Sequence, residues 1–308
     1  MKKPRLVIAT RGSALALWQA NWVKSRLTEA HSLEAEIRVI KTTGDKQPEL
    51  LLTRSGTKGL FIKEIEEALL RGEAHLAVHS LKDLPNDQPE GLQPAAYLER
   101  EDPRDVLIAP EGRRFADLAP GSRVGTSSLR RQAQLRRLRP ELKFEDIRGN
   151  LDTRIRKLER GDYDAVVVAA AGVHRLGLKE RITEYFPPEA VCPAVGQGVV
   201  AVEIRSADEE TAKLVRALDH GPTRTTTEAE RTFLRRLGGG CRIPIAAHGT
   251  LTKNGTLHLR GIVADPEGTR LLRAEIEGEP DTPEQAGISL AERLLAQGAE
   301  ELIRQFPE

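Results

Sequence analysis

Arg130 and Arg131 come directly after Thr126, Ser127 and Ser128, where a short run at Ser122 to Gly125 gives way to a helical pattern. The helix dipole disfavours cations in a first turn, so two guanidiniums there require a compensating anion. Hydroxyls and free backbone N–H groups at the same place would complete a receptor for a carboxylate or phosphate. The plainer alternative is a Ser or Thr cap with solvated arginines. Arg148, Gly149, Asn150 and Arg154 repeat the arrangement at the next strand-to-helix turn, and Arg11 with Ser13 does so near the start of the chain. Ligands of open α/β sheets bind outside the carboxyl ends of strands, so three such turns could converge on a polyanion. Taken singly, each is equally a surface feature.

Lys82 and Asp83 follow a buried-looking run and precede Pro85, a place where charged side chains project into a cleft. Lys82 could bind an anion. Asp83 could accept from N–H donors, stabilise a developing cation or relay a proton, or the two could form a surface ion pair. Cys241 follows Gly238, Gly239 and Gly240, which leave room around a thiol for a bulky adduct; a buried structural thiol after a glycine-rich helix stop is the competing reading. Cys192, between Val191 and Pro193, reads as structural. The seven histidines show no metal-ligand spacing, and neither GTSS nor AVGQG matches a nucleotide-binding fingerprint.

These residues need elements to place them. Short apolar runs alternate with helical patterns through the first two thirds of the chain, which argues for α/β units. The expected strands are Leu6 to Ala9, Ile37 to Ile40, Leu76 to Val78, Val106 to Ala109, Ser122 to Gly125, Phe144 to Ile147, Ala165 to Ala169 and Val199 to Ile204. Thr42 to Lys58, with Gly44, Pro48 and Gly56, reads as a loop or lid carrying Arg54 and Lys58. Ser206 with Glu209 has capping-box spacing. Boundaries are expected in the charged stretch Glu99 to Arg104 and at His220, Gly221 and Pro222. The remainder reads as a small α+β part: a helix through Glu228 to Leu237, then runs at Ile245 to Leu251, Leu257 to Val263 and Arg270 to Ile276. Asn254-Gly255 marks a hairpin, and Thr282-Pro283 starts the closing helix.

Composition limits the function classes. With 47 Lys and Arg against 46 Asp and Glu, the net charge of +1 provides no global field toward nucleic acid or an anionic membrane. Aromatics at 4% supply no stacking module for RNA. No stretch approaches the ~18 apolar residues of a membrane span, and the first residues lack signal-peptide length and a cleavage site. Two cysteines are too few for a disulfide framework and fit a reducing, cytoplasmic setting.

Seven motifs occur in order: TRGSALALWQA from Thr10, KGLFIKEIE from Lys58, HSLKDLP from His79, VGTSSLRRQAQL from Val124, IRGNLDTRI from Ile147, PAVGQG from Pro193 and GGGCRIPIAAH from Gly238. On these the chain resembles the porphobilinogen deaminase (hydroxymethylbilane synthase) family from end to end. The resemblance implies two domains like type II periplasmic binding proteins plus a small α+β C-terminal domain: residues 1–98 with 199–218, residues 104–193, and residues 221–308. It implies a monomeric transferase that deaminates porphobilinogen and joins four pyrroles head to tail into hydroxymethylbilane in haem biosynthesis. The primer it implies is a dipyrromethane cofactor in thioether linkage to Cys241. Asp83 matches the family's catalytic aspartate. Lys82, Asp83, Thr126, Ser128, Arg130, Arg131, Arg148 and Asn150 match cofactor-binding positions, and Arg11, Ser13, Gln19, Ser80, Arg148, Arg154, Arg175 and Gln197 substrate-binding ones. His174 and Cys192 are departures within family motifs.

Overall fold

Residues 5–43, 62–239, 243–265 and 267–306 are described by the computed structural model. The chain divides into two compact units, Met1–Arg100 with Val199–Arg224, and Glu101–Gly198 with Thr225–Glu308. Elements are numbered in chain order.

In the first unit, β1 (Arg5–Thr10), β2 (Glu34–Val39), β3 (Leu76–Ser80), β4 (Leu92–Tyr97) and β10 (Val200–Arg205) form one sheet in the order β2-β1-β3-β10-β4. β1 runs parallel to β2 and β3, whereas β10 runs antiparallel to β3 and β4. Alternation sends successive side chains to opposite faces. Val78, Val202 and Ile204 pack with Ala20, Val23 and Leu27 of α1 (Ala14–His31). On the other face Ala9 and Ala77 pack with Ile65 and Leu69 of α2 (Lys63–Leu70). Such two-sided burial is why these strands read as continuous apolar runs. The helix α6 (Glu209–Val215) is capped by Asp208, whose side chain accepts from Thr211 N at 2.9 Å, and not by Ser206 as its spacing predicts.

The second unit holds β5 (Asp105–Ile108), β6 (Arg123–Gly125), β7 (Lys143–Glu145), β8 (Ala165–Ala169) and β9 (Glu184–Tyr185) in the order β7-β6-β8-β5-β9. β6 is parallel to β7 and β8, and β5 is antiparallel to β8. Three parallel strands followed by an antiparallel one is the arrangement of the first sheet as well. The helices here are α3 (Leu129–Leu138), α4 (Leu151–Glu159) and α5 (Ala170–Arg175).

The same unit includes an antiparallel meander, β11 (Ile245–Leu251), β12 (Leu257–Ala264) and β13 (Leu271–Gly278). Its core joins Leu259 to Phe233 of α7 (Gly221–Arg236) and to Leu290 and Leu294 of α8 (Pro283–Ala296). Gly261 makes this packing possible, since a Cβ there would lie 2.8 Å from the Phe233 ring. Buried Glu230 ties the meander to the second sheet's long loop by accepting from Gly196 N and Gly249 N, both at 2.7 Å. α7 begins seven residues before the expected Glu228, with Gly221 and Pro222 in its first turn, and the division between the two units falls within this helix, after Arg224. Proline is tolerated there because first-turn N–H groups have no intrahelical acceptor.

Candidate active site

In the second unit the adjacent parallel strands β7, β6 and β8 each deliver predicted site residues from their carboxyl ends. β6 leads to Thr126, Ser128, Arg130 and Arg131, β7 to Arg148, Asn150 and Arg154, and β8 through α5 to Arg175. One hydroxyl fastens two of these turns together: Ser127 Oγ donates to Ile147 O at 2.8 Å and accepts from Ile147 N at 2.9 Å.

The compensating anion for Arg130 and Arg131 is the chain's own Asp105. Arg130 Nη1 donates to Asp105 Oδ2 at 2.6 Å and to Cys192 O at 2.6 Å. Arg131 donates from Nε and Nη2 to Asp105 Oδ1 at 2.9 and 2.7 Å, and from Nη1 to Val167 O at 3.2 Å. Both arginines are buried, which rules out the solvated alternative. Burial alone would raise the Asp105 carboxyl, but the charges and hydrogen bonds of the two guanidiniums outweigh it and hold the group well below the usual carboxylate range. One carboxylate serves two cations, so the cluster carries one positive charge more than Asp105 cancels. Ser128 is the N-cap of α3, and its side chain makes no capping bond among the described residues.

Gln197 joins this cluster from the long loop. Its Nε2 donates to Pro103 O at 2.6 Å and Asp105 Oδ1 at 2.9 Å. Both partners are acceptors, which fixes the amide's orientation. Its Oε1 is consequently buried with no hydrogen-bond partner among the described residues, an acceptor suited to an N–H donor. Arg175 is buried and donates to Gly198 O at 2.7 Å; burial, opposed by the charge of Glu101, lowers its guanidinium to about 10, so it stays charged at neutral pH. Arg148 and Arg154 are half-buried, and Arg154 Nε folds back onto Gly149 O at 2.9 Å. Asn150 is exposed at the N-cap of α4.

In the first unit the neighbouring strands β1 and β3 end side by side. Arg11 is half-buried beyond β1, and Ser13 caps α1 by accepting from Ala16 N at 3.3 Å. Gln19 is buried and donates to Ser80 Oγ at 2.9 Å. Lys82 is half-buried and Asp83 exposed on a 3-10 turn, Leu81–Asp83, anchored by buried Leu81. Behind it His79 Nε2 lies 3.1 Å from Glu203 Oε2, both side chains buried.

Cys241, Arg54 and Lys58 lie outside the described residues. Cys192 is buried, and burial pushes its thiol up to about 12. Among the described residues no group of three His, Cys, Asp or Glu side chains could hold a metal ion, and no helix is long and apolar enough to cross a membrane. Sequence reasoning missed Asp105 and Glu203. The one signal for Asp105 is an acid heading a wholly apolar strand.

The fold and its basic strand ends define an α/β protein with a small α+β part added and with arginine-rich turns fit for carboxylates. Residues 6–213 match the family described as porphobilinogen deaminase, dipyromethane cofactor binding domain, and residues 224–296 match porphobilinogen deaminase, C-terminal domain. Relatives named porphobilinogen deaminase include one from Pelobacter propionicus, 48% identical over 99% of this chain and 98% of its own length. Another, from Geobacter metallireducens, is 49% identical over 99% of this chain and 96% of its own. Among solved structures, the methionine-binding protein MetQ is 12% identical, with a TM-score of 0.46 over 70% of this chain and 88% of its own. The chain belongs to the porphobilinogen deaminase family, the hydroxymethylbilane synthases of tetrapyrrole biosynthesis.

Proposed function

We propose that this chain binds porphobilinogen through its arginine-bearing turns, expels ammonia from it, and joins successive pyrroles into hydroxymethylbilane on a dipyrromethane thioether-linked to Cys241. The observation that carries the reading is the surplus buried cation at Arg130 and Arg131 beside the unpartnered Gln197 Oε1. A pyrrole with acetate and propionate arms has carboxylates for the first and an N–H for the second, so the residues present fit the group. Thr126, Ser128, Arg130, Arg131, Arg148 and Asn150 would hold the cofactor, which when bound supplies a free pyrrole α-carbon as nucleophile.

The chain's own residues account for the remaining work. Arg11 in the first unit, and Arg154 and Arg175 in the second, hold substrate carboxylates; within the first unit Gln19 and Ser80 brace each other and Ser13 fixes the start of α1. Arg is suited to this because its planar fork meets both carboxylate oxygens. As ammonia leaves, positive charge develops on the substrate pyrrole. Asp83, exposed on a turn with a buried anchor, accepts the pyrrole N–H and stabilises that charge. Lys82 supplies a further carboxylate contact, while Arg54 and Lys58 would act from the lid expected at Thr42 to Lys58. A three-part division, 1–98 with 199–218, 104–193 and 221–308, is part of the same reading and is supported by one sheet in each part.

Intact-mass measurement tests the reading. The purified protein should weigh more than its sequence by one dipyrromethane, lose that excess in Cys241→Ala, and gain single-pyrrole steps on addition of porphobilinogen. An unmodified Cys241 in folded, substrate-exposed protein would overturn it. Asp83→Asn should leave folding intact and lower kcat by roughly 10²- to 10³-fold, the usual loss for one charge-stabilising group; near-normal product formation would remove Asp83 from its role.

A further inference from the structure

The turn that carries Lys82 and Asp83 is gripped through both faces of the sheet. In the β3–β10 pairing Val200 lies opposite Ser80 and Ala201 opposite His79. Ser80 points to the α1 face, where Gln19 holds it. His79 and Glu203 therefore lie on the α2 face as diagonal neighbours, with His79 Nε2 3.1 Å from Glu203 Oε2. Glu203 is fully buried, yet its Oε1 has no hydrogen-bond partner among the described residues, and the same holds for Glu66 Oε1 on α2. A buried carboxylate with an unsatisfied oxygen is costly, and the other buried residues of this strand, Val200, Ala201, Val202 and Ile204, are all apolar. Glu66 faces the same pair: burial first, and the Glu203 charge second, push its carboxyl up against the opposing influence of His79.

From this we infer that Glu203, through His79, is a positioning residue for Asp83, and that Glu66 completes a buried polar cluster maintained for the geometry of that turn. His79 stands four residues before Asp83 on a strand that runs unbroken into the 3-10 turn. An imidazole fixed by a carboxylate fixes the last residues of β3 on the face that Gln19 and Ser80 do not reach. Glu203 and His79 need not touch the substrate. The inference rests on the role proposed above for Asp83.

The test compares Glu203→Gln with the paired replacement His79→Leu, Glu203→Val in the full-length, cofactor-loaded enzyme. The apolar pair removes a buried polar pair with an unsatisfied oxygen and should melt at or above the wild-type temperature, as well-packed apolar replacement of such buried groups often does. Its kcat for porphobilinogen should nonetheless fall roughly 10- to 100-fold with KM changed less than threefold, the signature of a misplaced group near the chemistry. Glu203→Gln should lower kcat in the same way. Wild-type kcat in either folded variant would overturn the inference, because a merely structural pair would change melting and leave turnover per folded molecule alone. A wild-type protein that fails to consume porphobilinogen would instead defeat the functional reading, so the two failures are distinct.

Discussion

Removing the carboxylate of Asp105 leaves Arg130 and Arg131 buried with the backbone carbonyls of Cys192 and Val167 as their remaining partners among the described residues. Breaking a buried ion pair by deleting one partner costs about 3–5 kcal/mol, so Asp105→Ala should lower unfolding free energy by that amount in urea titration. Because the folded carboxyl lies below its unfolded value, its contribution is present at neutral pH and is lost only as pH falls through the folded value. Mild acid, down to about pH 5, should therefore leave the difference between wild type and variant unchanged. Cys192 behaves with the opposite sign. Its folded thiol sits at about 12 against an ordinary 9.0, so stability is full below the ordinary value and declines as pH rises toward the folded one. The decline approaches about 4 kcal/mol by pH 12, and Cys192→Ala should flatten that limb of the alkaline stability curve. That Arg130 and Arg131 need an anion is legible from their place in a first turn. Which anion is not, because Asp105 comes from a strand 25 and 26 residues away, and spacing along the chain carries no sign of that contact.

Turns at strand ends carry the site, and one of them depends on a glycine. Gly149 has φ of 106°, and a Cβ there would stand 2.6 Å from Thr153 Cγ2. Gly149→Ala should therefore cost about 1–3 kcal/mol. It should also raise KM for porphobilinogen several-fold, since Arg148 and Arg154 flank the displaced backbone; thermal melts with steady-state kinetics check both. Most strands were legible because burial on both faces writes them as Val- and Ile-rich runs, as in Ala165–Ala169. Helix starts were less so. Ser206 and Asp208 both have capping chemistry, and only the backbone path selects Asp208. Gly221 and Pro222 look like a break, but they satisfy a first turn equally well.

Nothing in Val200–Arg205 marks which sheet it joins, for an apolar strand pairs as well with one edge as another. Its place between β3 and β4 is a property of the whole chain. Residues 1–100 alone should accordingly fail to fold, whereas 1–100 linked to 199–224 should show a cooperative thermal transition by circular dichroism, because that pair contains every strand of the first sheet among the described residues. A folded 1–100 fragment would show that β10 is dispensable. During synthesis, the consequence is a delay. The 98 residues from Glu101 to Gly198 must emerge before β10 does, which takes roughly 5–20 s at ribosomal rates. Through that interval β3 and β4 have unsatisfied edges and the Val78 face is only partly covered. A nascent chain in that condition is a natural client for chaperones that hold exposed strands, and slowing elongation beyond residue 100 would lengthen its exposure.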